Sequence, residues 1–106
     1  MNISIIIPVF NERDSINQLY AEIVSAINAR DYEIIFIDDG SSNEKTLETM
    51  KNIQDNSSAD ISIISFFSNS GQQAAILAGM QNAKGNYLIT MDGDLEHRPE
   101  DLPSLI

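Results

Sequence analysis

Four short apolar runs, separated by stretches with helical periodicity, constrain the fold of this chain more than any other feature. The runs span residues 3–10, 33–37, 61–67 and 87–91, and they are rich in β-branched side chains. Such runs are typical of strands that are buried on both faces of a sheet. Strands that alternate with helices over short connections favour right-handed crossovers and parallel pairing. The sequence therefore predicts an α/β fold with an open, mostly parallel sheet and helices on both faces.

Three helices are predicted between these strands. The second is preceded by Ser41 and Glu44 at the spacing of a capping box. The third, over residues 72–83, is apolar almost all round and is therefore expected to be buried. A further helix is expected to begin at Pro99. The first helix is indicated by apolar residues at helical spacing: Ile16, Leu19, Tyr20, Ile23, Val24 and Ile27.

Composition limits the kind of protein that this chain forms. The 106 residues, 42% of them hydrophobic, are expected to form part of a single domain with its own hydrophobic core. A net charge of −10 works against binding to nucleic acid phosphates or anionic lipid. The absence of cysteine excludes disulfides and thiolate zinc sites. No apolar run is long enough to cross a membrane, so a cytoplasmic location is expected.

Acidic residues follow three of the four predicted strands. In an open α/β sheet, ligands bind beyond the carboxyl ends of the strands, where the strand order reverses. With the strand order 3-2-1-4, five carboxylates would converge at that edge: Glu12, Asp38, Asp39, Asp92 and Asp94. Like charges so close together repel strongly unless a counter-charge is present. A hard divalent cation, Mg²⁺ or Mn²⁺, would supply it.

Each acidic motif also has a simpler interpretation. An isolated Asp-x-Asp such as Asp92–Gly93–Asp94 is often a solvated turn, but its place directly after a buried strand favours a metal site. Asp38 and Asp39 either form an Asp-Gly turn, or one of them accepts a hydrogen bond from the N–H of a nucleotide base. Glu12 is also consistent with an acidic residue in the first turn of a helix.

Two common nucleotide-binding motifs are absent from the sequence, which excludes the classes of protein that depend on them. The chain has neither a Gly-x-x-x-x-Gly-Lys-Ser/Thr loop nor a Gly-x-Gly-x-x-Gly motif.

Two alternative functions remain open, a phosphohydrolase and a receiver-like switch domain. A phosphohydrolase would use Asp92 as nucleophile and Asp94 as acid/base, although that class would carry its Asp-x-Asp after the first strand. A receiver-like switch domain would need a lysine at the end of a fifth strand, and none is present.

Four motifs in order resemble those of the family 2 glycosyltransferases: residues 5–12 (IIIPVFNE), 37–41 (IDDGS), 71–79 (GQQAAILAG) and 91–97 (MDGDLEH). The resemblance covers nearly the whole chain. Within the family it is strongest to the branch that loads a sugar onto a polyprenyl phosphate. It implies the GT-A fold, a divalent metal, and inverting transfer of a sugar from a nucleotide-diphosphate sugar to a lipid phosphate or a glycan precursor.

The resemblance also implies roles for individual residues. Asp92 and Asp94 would bind Mg²⁺ or Mn²⁺, and Asp39 would contact the base. The implied nucleotide-binding residues are Pro8, Val9, Phe10, Glu12, Asp38, Asp39, Gln73, Asp92 and Gly93. The general base and the acceptor site are expected beyond Ile106, so the 106 residues alone are expected to transfer no sugar. The intact enzyme is expected at the cytoplasmic face of the membrane, and the isolated piece is expected to self-associate through an exposed edge strand.

Overall fold

A computed structural model describes residues 3–10, 14–26, 31–40, 44–57, 60–68 and 70–91. Strands and helices alternate in these residues, as predicted. None of the described helices is both long and apolar enough to cross a lipid bilayer. The elements are β1 (Ile3–Val9), α1 (Asp14–Ala26), β2 (Tyr32–Asp38), α2 (Glu44–Asn56), β3 (Asp60–Ser65), α3 (Gln72–Asn82) and β4 (Tyr87–Thr90).

The four strands form one sheet in which every neighbouring pair is parallel, in the order β3-β2-β1-β4. The predicted strand order is confirmed. Ile6 of β1 lies in register with Ile35 of β2 on one side and with Thr90 of β4 on the other. The order reverses at β1, because the chain moves from β1 towards β3 and then returns to add β4 at the opposite edge. This is the place where open α/β sheets form their ligand crevice.

The core consists of two apolar clusters, one on each face of the sheet. Residues Ile5 and Ile7 of β1 point to the face that α1 and α2 cover, where they pack with Leu19 and Met50. Ile6 points to the other face, which α3 covers. Successive side chains of a strand point to opposite faces, so a run of isoleucines fills both clusters at once. The prediction of helices on both faces is confirmed.

The prediction that α3 is buried all round is wrong. Leu77 is 55% exposed and Met80 is 47% exposed, whereas Ala75 and Gly79 face the sheet. A Cβ atom on Gly79 would lie 2.5 Å from Cγ2 of Ile6, so the helix backbone lies very close to the strand. The helix therefore packs through its smallest residues, and its large apolar side chains point away from the sheet. Among the described elements, α3 is the only helix on this face.

Three strands end earlier than the apolar runs predict, and the first of them, β1, stops at Val9. β3 stops at Ser65, and Phe67, which was expected in the strand, is fully exposed. β4 stops at Thr90 and forms an edge of the described sheet, where Tyr87 and Leu88 are about half exposed. Self-association through an exposed edge strand stays a prediction. The predicted cap residue Ser41 and the predicted helix at Pro99 lie outside the described residues.

A buried polar cluster, which we call the amino-edge bracket, joins Ser4, Glu33, Lys84 and Gly85. The Ser4 hydroxyl and the Lys84 backbone N–H both donate to Oε2 of Glu33, each at 2.6 Å. The Gly85 backbone N–H donates to Oγ of Ser4 at 2.8 Å. Glu33 is 2% exposed and Ser4 is fully buried. The bracket fixes the turn that follows α3 to the amino ends of β1 and β2.

Candidate functional site

The carboxyl ends of the four strands lie along one edge, which we call the carboxyl edge. Backbone hydrogen bonds continue across this edge where the chain leaves the strands. Their donor–acceptor pairs are Asp39 N to Val9 O at 2.9 Å, Phe66 N to Asp38 O at 2.9 Å and Met91 N to Ile6 O at 3.0 Å. The segments that follow β1, β2 and β3 therefore start side by side, where a ligand of an open α/β sheet would bind. β4 ends opposite Ile6, before β1 reaches its own end at Val9.

Asp38 and Asp39 are both buried at this edge, each 4% exposed, but their side chains point to different faces. Asp38 lies in register with Val9, which packs on the α1 and α2 face. Its Oδ2 accepts a hydrogen bond from the Ser65 hydroxyl at 3.4 Å. Asp39 instead reaches the chain just before α3, on the opposite face. This difference separates two residues that the sequence alone treats alike.

Asp39 binds the backbone that leads into α3 through both of its carboxylate oxygens. The Ser70 N–H donates to Oδ1 at 2.7 Å, and the Gly71 N–H donates to Oδ2 at 3.0 Å. Sequence reasoning missed these two donors because they are backbone groups, which any residue other than proline would supply. The one available signal was a glycine directly before the helix, and Gly71 has a φ of 97°.

Three other predicted nucleotide-binding residues reach the surface. Pro8 is half-buried near the end of β1, and Phe10 just beyond it is 44% exposed. Gln73 is exposed in the first turn of α3. The side chain of Val9 lies inside the core at 1% exposure, so it is the backbone carbonyl of this residue that lies at the carboxyl edge. The remaining predicted site residues, Glu12, Asp92, Gly93 and Asp94, lie outside the described residues.

The predicted metal site remains a prediction. Both of its expected ligands, Asp92 and Asp94, follow Met91, which is the last residue that the structure describes. In the described part of the chain, no group of three or more histidine, cysteine, aspartate or glutamate residues comes together to hold a metal ion. The described strand ends thus contribute two buried carboxylates, those of Asp38 and Asp39, which point to opposite faces of the sheet.

The family model described as "Glycosyl transferase family 2" matches residues 4–106. The chain belongs to this family. Two bacterial relatives within the family are each described as "Undecaprenyl-phosphate 4-deoxy-4-formamido-L-arabinose transferase". The protein from Proteus mirabilis (strain HI4320) is 40% identical over 108 residues, and that from Edwardsiella ictaluri (strain 93-146) is 35% identical over 106 residues. Each match covers 98% of this chain but only 32% of the relative.

Solved structures share the fold of this chain at low sequence identity. S. aureus TarS 1-349 superposes with a TM-score of 0.82 at 19% identity, covering 99% of this chain and 31% of that one. The mannosyltransferase PcManGT from Pyrobaculum calidifontis, in complex with GDP-Man and Mn²⁺, gives a TM-score of 0.83 at 17% identity and covers 97% and 30%. These likenesses confirm the predicted GT-A architecture for this family 2 chain. Neither alternative class, phosphohydrolase or receiver-like switch, gains support from the family match.

Proposed function

We propose that this chain is the nucleotide-sugar-binding part of a family 2 glycosyltransferase that transfers a sugar to polyprenyl phosphate. The observation that carries the proposal is the pair of undecaprenyl-phosphate sugar transferases, which are 35% and 40% identical to nearly the whole chain. The chain spans about a third of their length. A glycan precursor of the cell envelope is the second acceptor class that fits the family.

In this proposal the donor binds across the carboxyl edge of the sheet. Asp39, directly after β2, accepts a hydrogen bond from the base, and Phe10 just beyond β1 and Gln73 in the first turn of α3 offer exposed side chains. The other proposed nucleotide contacts are Pro8, Val9, Glu12, Asp38, Asp92 and Gly93. The structures of S. aureus TarS 1-349 in complex with UDP and of PcManGT in complex with GDP-Man support a nucleoside diphosphate as the ligand class.

The proposed cofactor is Mg²⁺ or Mn²⁺, held by Asp92 and Asp94. Support comes from the Mn²⁺ complex of the mannosyltransferase neighbour and from the oxygen chemistry of the two carboxylates. A divalent ion would neutralise the diphosphate leaving group, whose charge develops as the bond to the anomeric carbon breaks. An oxygen of the acceptor phosphate attacks that carbon from the opposite side, so the configuration inverts. A phosphate acceptor is already ionised at neutral pH.

Binding of nucleotide with metal is the direct test. In calorimetric titrations with UDP and GDP, we expect Mn²⁺ to tighten binding, and we expect Asp94→Asn to remove most of that metal dependence. Loss of one charged ligand is worth roughly 1.5–3 kcal/mol, or about a tenfold to hundredfold change in affinity. Asp60→Asn, at the exposed amino end of β3, is the matched control and should leave binding unchanged. Equal binding in EDTA and in Mn²⁺ would contradict the metal assignment.

A second test asks whether the groups that bind and position the acceptor lie beyond Ile106. Radiolabelled transfer from a panel of nucleotide sugars to polyprenyl phosphate should show no turnover with the 106-residue chain, because we propose that the acceptor-binding groups lie beyond Ile106. Light scattering on the same sample should show self-association through β4, whose Tyr87 and Leu88 are about half exposed. Multiple turnovers by this chain would mean that the acceptor site lies within it.

A further inference from the structure

The carboxylate of Asp39 links two parts of the carboxyl edge that come from distant parts of the chain. Asp39 follows β2, and its two partners, Ser70 and Gly71, precede α3 and are 31 and 32 residues away. The carboxylate is 4% exposed, and a different oxygen accepts each N–H. Hydrogen bonds to a charged and buried acceptor are among the stronger ones in proteins.

Among the described residues, few other groups fix the start of α3. No side chain in this part of the structure caps the helix, and its first turn holds no acidic residue. Its N-cap residue, Gly71, has a φ of 97°, a conformation that residues with a side chain rarely adopt. No atom lies within 4 Å of where a Cβ of Gly71 would stand, so glycine is needed for its backbone conformation and not for space. Gly71 then accepts the Ala75 N–H at 3.1 Å, which begins the helix.

We propose that Asp39 is a positioning residue, whose carboxylate holds the Ser70–Gly71 backbone and thereby sets the first turn of α3 against the donor site. This inference rests on the proposed function and deepens it. If a residue contacts only the base, its substitution changes the affinity for a nucleotide by an amount that depends on the base, and leaves the affinity for diphosphate unchanged. We place Gln73, a proposed nucleotide contact in the first turn of α3, on the diphosphate side of the donor. A residue that positions α3 therefore also changes the affinity for diphosphate.

Two variants separate the positioning role from base contact. Asp39→Asn replaces one acceptor oxygen by an NH₂ group, which cannot accept either N–H. Gly71→Ala leaves the Asp39 carboxylate unchanged but places a side chain at a φ of 97°. Affinities for UDP, GDP and inorganic diphosphate, each with Mn²⁺, are measured for both variants, for wild type and for the control Asp60→Asn. Amide exchange at residues 70, 71 and 75 is measured in the same samples.

We expect both variants to weaken all three probes by a similar factor of roughly tenfold, the equivalent of one hydrogen bond to a charged group. Amide exchange at residues 70 and 71 should accelerate in Asp39→Asn. Unchanged affinity for inorganic diphosphate in both variants would overturn the inference, whether or not one nucleotide is weakened. A wild-type chain that binds none of the three probes would instead contradict the proposed function itself.

Discussion

The Gly85→Ala variant is expected to lose about 2–4 kcal/mol of its free energy of unfolding, because of a steric clash and a lost hydrogen bond. A Cβ atom at this position would lie 2.7 Å from both N and Oγ of Ser4, and 2.8 Å from the carbonyl carbon of Ile3. Two of these three atoms belong to the backbone of β1, so no side-chain rotation relieves the contact. Movement of the turn would also break the bond from Gly85 N–H to Ser4.

Urea denaturation of the variant and of wild type measures this loss. Asn86→Ala is the matched control, because Asn86 is exposed in the same turn. Its unfolding free energy should change by less than about 0.5 kcal/mol. An unchanged urea midpoint for Gly85→Ala would show that the turn moves away from β1 at no cost.

The second large effect is expected for Glu33, the acceptor of the amino-edge bracket. Glu33→Ala leaves the Lys84 N–H and the buried Ser4 hydroxyl without their acceptor, at a cost of about 2–4 kcal/mol. Glu33→Gln should cost clearly less. Both donors bind the same oxygen, Oε2, and the amide oxygen of glutamine can take its place.

The same denaturation series tests this prediction, with Glu48→Ala on the exposed face of α2 as the control. Equal losses for Glu33→Gln and Glu33→Ala would mean that the negative charge, and not the acceptor geometry, stabilises the bracket. The bracket lies at the opposite end of the sheet from Asp39. Variants of Glu33 that remain folded should therefore bind nucleotide as wild type does, which separates their effect from that of Asp39→Asn.

The parallel sheet could be predicted from the sequence because two independent signals agree, whereas its strand order, 3-2-1-4, was expected from the resemblance to the family 2 glycosyltransferases. The β-branched runs locate the strands, and the handedness of parallel crossovers restricts how they connect. The burial of α3 could not be predicted in the same way. Its apolar content suggested burial on all sides, but Ala75 and Gly79 determine which side faces the sheet, since only small residues allow so close an approach. Leu77 and Met80 are consequently exposed.

The candidate site shows a similar division. The acidic residues at the strand ends were apparent from the sequence, but the different directions of Asp38 and Asp39 depend on where β2 ends. The partners of Asp39 and of Glu33 include backbone N–H groups. Every residue except proline has such a group, so the sequence does not indicate which of them form these bonds. Contacts of this kind depend on how distant segments meet in space, and a pattern along the chain does not contain that information.

The strand order has a consequence for how the chain folds during synthesis. β1 is the first described strand to leave the ribosome, and it can pair with β2 as soon as residue 38 has emerged. Its other neighbour, β4, is the last, and the bond between Ser4 and Gly85 joins residues 81 positions apart. One side of β1 therefore stays unpaired until nearly the whole described chain has been made. β1 is an inner strand of the described sheet, but one of its edges stays open for most of the time in which residues 3–91 are synthesised.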